Sequence, residues 1–163
     1  MSGLGAGFRR LLGKEEVEPQ SLLGRWLVTR LVDRPEERKR YVARFGEVPD
    51  EPEQGLIVQE VFGRLLERYL ALEGTSEDGL LDEYEGIGRP DVPERAVGKV
   101  AIYAALGRIP RVPPDLWLPA LVAHGTLAML MMPRLDLPYP QVVDLVREKE
   151  QELTVRGIAL HPA

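Results

Sequence analysis

Residues 116–133 read LWLPALVAHGTLAMLMMP, eighteen residues without one formally charged side chain. A helix that is apolar on every side must be buried in protein or in lipid. This run only reaches the lower limit of a bilayer span. Pro119, His124, Gly125 and Thr126 interrupt it, and the single opposite charges of Asp115 and Arg134 flank it in place of a basic cluster. The other helical patterns in the chain are amphipathic, so each has an apolar stripe to lay against such a core. The run therefore predicts a buried axis helix at about residues 115–132, with Asp115 as N-cap and Pro119 in a first turn that tolerates it. A membrane partner is disfavoured, and a cytoplasmic chain is expected.

Helical periodicity recurs along the rest of the sequence. Residues 21–32 offer Ser21 as N-cap before Leu22, Leu23, Trp26, Leu27, Arg30 and Leu31 at helical offsets. Residues 34–46 place Pro35 in a first turn and end on Gly46. In 53–74, Ile57, Val61, Leu65 and Tyr69 repeat in four-residue steps beside Val58, Phe62, Leu66 and Leu70, with Gly63 on the opposite, polar face. Glu60 precedes Arg64 by four, the favoured order for a helical ion pair, and Gly74 stops the helix. A capping-box spacing from Thr75 to Asp78 opens a short helix. The next runs from an Asp91 cap to Gly107, with Ala96, Val97, Val100, Ala101 and Ala104 inward. The last covers 140–157, with Val142, Leu145, Val146 and Leu153 inward, Glu152 pairing with Arg156 and Gly157 as stop.

No alternating strand pattern is present, so the expected fold is all-α. It is a single-domain orthogonal or irregular bundle of six to seven helices around the apolar helix at 115–132. A chain of 163 residues suits one domain with a core of its own. Residues 1–17 read as a flexible arm with a short helix carrying Phe8, Leu11 and Leu12, residues 18–157 as the helical domain, and 158–163 as a C-terminal tail. The segments ARFGEVP (43–49) and AALGRIP (104–110) echo one another as recurrent helix-stop chemistry.

The chain has no cysteine, which excludes disulfides, thiolate nucleophiles and cysteine-held metal. It also lacks asparagine, and arginine outnumbers lysine seventeen to four among its cations, a pattern compatible with heat tolerance. No G-x-S-x-G, phosphate-cradling loop, calcium loop or paired-histidine motif occurs, so a catalytic role is disfavoured. Convergent carboxylates are the one active-site chemistry a sequence of this composition leaves open.

Three candidate surfaces remain. Residues 47–94 hold fourteen acids against three arginines, and Glu77, Asp78, Asp82, Glu83 and Glu85 form a partner-binding candidate. Residues 25–44 hold seven cations against three acids, with Arg34, Arg38, Lys39, Arg40 and Arg44 as a basic surface. Overall acidity disfavours nucleic acid there, and the expected role is to lie against the acidic middle of the chain. Trp117, His124 and Met132 are the candidate pocket. His124 stands among Ala120, Leu121, Leu127 and Ala128, and the only other histidine is His161, too few ligands for a metal or haem centre. It is expected to be a core histidine bonded to a group on another helix, with Met129, Met131 and Met132 as gap-fillers. Taken together, the sequence predicts a non-catalytic helical module that docks an unidentified protein partner through its acidic surface, without metal or cofactor. Its alternatives are a pocket protein for an apolar small molecule or cofactor, and a nucleic-acid accessory factor using 25–44. Self-association into a homo-oligomer is compatible with the sequence.

Overall fold

The computed structural model describes residues 18–163, so the expected arm and its short helix lie outside the described residues. Seven α-helices make up the described chain: α1 (Leu22–Leu31), α2 (Pro35–Val42), α3 (Leu56–Leu70), α4 (Glu77–Gly86), α5 (Arg95–Ala105), α6 (Trp117–Leu135) and α7 (Tyr139–Val155). Short 3-10 turns at Phe45–Glu47, Pro52–Gly55 and Pro114–Leu116 join them, and no strand occurs among the described residues. The fold is an all-α bundle, as the periodicity predicts.

The uncharged run forms α6, which is the axis of the bundle. It packs against α1, α3, α4 and α5, and buries Ala120, Leu121, Ala123, His124, Gly125, Thr126, Leu127, Ala128 and Met131. Small residues at 120, 123, 125 and 128 let neighbours approach closely. Gly125 is the tightest point, because a Cβ there would lie 2.6 Å from Trp26 Cη2 of α1. By length and composition alone the stretch Pro114–Leu135 could cross a bilayer, yet half of its most apolar window is buried inside the protein. The helix outruns the expected 115–132: Pro133 is accommodated in the last turn, and Asp136 ends the helix in the left-handed region at φ 52°.

Several local expectations give way to tertiary structure. Asp115 falls in the 3-10 turn before α6 and makes no cap hydrogen bond. Asp91 does not cap α5. That helix starts at Arg95 after Pro93, and Asp91 binds Arg89 instead at 2.8 Å. Ser76, not Thr75, caps α4 by accepting from the Gly79 N–H at 2.9 Å. Thr75 Oγ1 faces backward and donates to the Tyr69 and Leu72 carbonyls at the end of α3. Gly63 is buried, because the C-terminal end of α5 crosses it and Ala105 O would stand 3.0 Å from a Cβ there. Ala96 is exposed. The sequence echo is not a structural repeat: Gly107 turns at φ 75°, whereas Gly46 sits inside a 3-10 turn with negative φ and does not terminate α2, which ends at Val42.

The last residues are tied down by a buried carboxylate. Glu150 of α7 is 4 % exposed and accepts from the Ser21 backbone N–H at 2.8 Å, from the Ser21 hydroxyl and from the Gln20 N–H at 3.0 Å. Residues 20–22 held in this way pair with the C-terminus, through Leu22 N–H to His161 O and Ala163 N–H to Gln20 O, each at 2.9 Å. Gln54 completes the clasp, donating to Ala159 O and accepting from the His161 N–H.

Candidate functional site

The N-terminal end of α6 and the loops that precede it enclose a cavity of about 340 Å³. The 3-10 turn at 52–55 and the start of α3 form one wall, through Pro52, Gly55 and Leu56. The α5–α6 loop forms a second, through Pro110, Arg111 and Val112, and α6 forms the floor, through Trp117, Leu121 and His124. The volume falls within the range of pre-formed small-molecule sites, and the mix of an apolar lining with a few polar groups is typical of them.

Three features give the cavity its chemistry. The Trp117 indole Nε1 is shielded from solvent and has no protein acceptor. It lies against Gly55, where a Cβ would come within 3.3 Å of that nitrogen. His124 is 3 % exposed and donates from Nε2 to the Ala101 carbonyl of α5 at 3.0 Å, with the Phe62 ring centroid 5.0 Å away. Burial drives the pKa of this ring down to about 4, against the opposing pull of the Ala101 and Ala120 carbonyls, so the imidazole is neutral near pH 7. At the mouth, Arg156 is held by Glu60 at 2.8 Å, while Arg111 and Glu53 have no ion-pair partner among the described residues.

Of the three residues of the expected pocket, Trp117 and His124 line this cavity and Met132 does not. Met132 stands eight positions after His124, toward the far end of α6. The loop residues that complete the cavity carry no periodic signal. The proline clusters at Pro49 and Pro52 and at Pro110, Pro113 and Pro114 mark where rigid connections were to be found, but not that two of them would face each other.

The charged surfaces are spent largely inside the chain. Glu77 forms a two-point pair with Arg108, with a longer arm of 2.8 Å, and Arg95 bridges Asp82 at 2.7 Å and Glu85 at 3.0 Å. Asp78 and Glu83 have no ion pair among the described residues. On the basic side, Arg34 pairs with Glu37 at 3.6 Å and lies 4.7 Å over the Tyr139 ring. Lys39 pairs with Glu36 at 3.7 Å and Arg44 with Glu47 at 2.9 Å, leaving Arg38 and Arg40 without an ion pair among the described residues. Arg34 and Lys39 are thus paired within the basic stretch and Arg44 with the first acid of the 47–94 run, whereas the counter-charges of α4 come from Arg95 of α5 and from Arg108 in the loop after it. The expected helical pairs also repartner: Glu60 binds Arg156, and Glu152 binds Lys149 at 3.0 Å. No group of three or more potential metal ligands converges among the described residues.

No protein-family model, curated protein or solved structure matches the chain.

Proposed function

We propose that this chain is a binding protein that holds a small, largely apolar molecule in the cavity beneath Trp117. The observation that carries the reading is Trp117, a residue on the wall of that cavity whose Nε1–H is buried without a protein acceptor. A buried donor left unpaired costs roughly 1–3 kcal/mol, and a ligand acceptor would recover part of that cost on binding. Leu56, Leu121, Pro52, Pro110 and Val112 supply the apolar contact, and Gly55 stands against the indole, where a Cβ would press on Nε1 at 3.3 Å. The ligand class is an aromatic or alicyclic body with one hydrogen-bond acceptor.

A docking surface at Glu77–Glu85 has weaker support, because three of its five carboxylates already satisfy arginines of the same chain. A nucleic-acid surface at 25–44 is weakened in the same way by the pairs of Arg34, Lys39 and Arg44.

Calorimetric titration with 2-naphthol, which offers an aromatic body and an oxygen acceptor, tests the proposal. Saturable one-to-one binding that is abolished by Gly55→Leu is the expected result. Absence of binding to the wild type, or equal binding to Gly55→Leu, would overturn it.

A further inference from the structure

Trp117 also lines a second hollow of about 360 Å³, formed by Phe45 and Val48 after α2 and by Pro114, Leu118 and Pro119 at the start of α6. Val48 is buried at its base, whereas Leu118 is 45 % exposed, one of only three large apolar side chains that open to solvent among the described residues. Two carboxylates, Asp50 and Asp115, stand on the lining, and neither has an ion-pair partner among the described residues. No lysine or arginine lines the hollow. The neighbouring cation, Arg44, is already engaged by Glu47 at 2.9 Å. Here the free negative charge is set beside an apolar, aromatic surface, which is what the bridged α4 acids lack.

We infer that this groove docks a basic segment of a partner protein, with a leucine or phenylalanine anchor seated between Phe45 and Leu118 and flanking lysines or arginines facing Asp50 and Asp115. Charge complementarity selects the occupant. An acidic or neutral segment would leave both carboxylates unpaired at the rim, whereas a basic one satisfies them and is steered to the groove by them. The half-buried Trp117 and Phe45 rings offer a cation–π contact to the same side chains.

The probe is a fluorescein-labelled heptapeptide, Gly-Lys-Leu-Lys-Phe-Lys-Gly, with two controls: glutamate for every lysine, and serine for leucine and phenylalanine. The full chain is titrated at low salt by fluorescence anisotropy, and amide shifts are mapped by NMR. The lysine peptide should bind, both controls should fail, and shifts should appear at Phe45–Val48 and Leu118. Asp50→Lys combined with Asp115→Lys should weaken binding by about tenfold or more, as should Leu118→Ser. These positions are exposed, and circular dichroism verifies that the variants fold. No binding, shifts at Glu77–Glu85 instead, or unchanged affinity in the charge-reversed variant would overturn the inference. So would a dimer in sedimentation equilibrium that Leu118→Ser dissolves, because the groove would then belong to a second copy of the chain. None of these variants alters Gly55, so the cavity reading stands or falls separately.

Discussion

The Trp26 ring of α1 occupies the space that a side chain at position 125 of α6 would need: Cη2 lies 2.6 Å from where a Cβ on Gly125 would sit. Glycine at this point of the axis helix lets the largest side chain of α1 close over it, and Trp26 is only 2 % exposed as a result. Gly125→Ala gains helix propensity but forces the two helices apart. The expected outcome is a net loss of about 1–3 kcal/mol in urea denaturation, the usual cost of overpacking a core. An unchanged or raised midpoint would mean that the α1–α6 contact is looser than described.

Acid should weaken the fold through His124. In the unfolded chain this ring has the ordinary pKa near 6.5, and in the folded protein burial holds it at about 4. Between those values the unfolded state binds the extra proton. The contribution of the neutral ring is therefore complete above pH 6.5 and is lost as pH falls toward 4, an effect of about 3 kcal/mol. Denaturation series at pH 7, 5.5 and 4 should show this slope, and His124→Leu should flatten it.

Glu150 is predicted to hold residues 20–22 and, through them, the C-terminal residues. Glu150→Ala leaves the Ser21 and Gln20 donors without their acceptor and should cost about 3 kcal/mol. Hydrogen exchange should then quicken at the amides of Leu22 and Ala163, which depend on the same clasp. Exchange unchanged at those two amides would contradict the arrangement.

Tyr84 makes the opposite prediction. Its ring packs on Gly98, where a Cβ would meet Cε2 at 3.0 Å, but its hydroxyl is buried without a protein partner and its pKa is pushed up to about 12 by burial. Tyr84→Phe keeps the ring and removes the unpaired group, so stability should be equal or up to about 1 kcal/mol higher. A clear loss would reveal a hydrogen bond to that hydroxyl.

What the sequence reveals follows the range of the forces involved. The axis helix and the α3 stripe are legible because burial imposes a period on the side chains, and Ser21 and Pro35 are legible because helix ends have local chemistry. Charge partners are not local. Glu60 and Arg156 are far apart in the chain, and only the packing of α3 beside α7 makes them neighbours. Gly63 looked like a surface residue because nothing nearby in sequence announces that α5 crosses there. Of the cavity, the α6 side is readable as Trp117 and His124 on one helix. Its opposite walls, Pro52 to Leu56 and Pro110 to Val112, are loops without a period, and their meeting is a property of the finished fold.

The claim on which the functional account rests is that the Trp117 Nε1–H faces a ligand site. It can be read directly in the indole region of a ¹⁵N–¹H spectrum, where the chain's two tryptophans give two resonances. On titration with 2-naphthol, the Trp117 indole resonance should move saturably while that of Trp26 stays in place, and Gly55→Leu should abolish the movement. If the Trp117 resonance stays still at saturating probe, or both indoles drift together without saturation, the cavity is packing space and not a binding site.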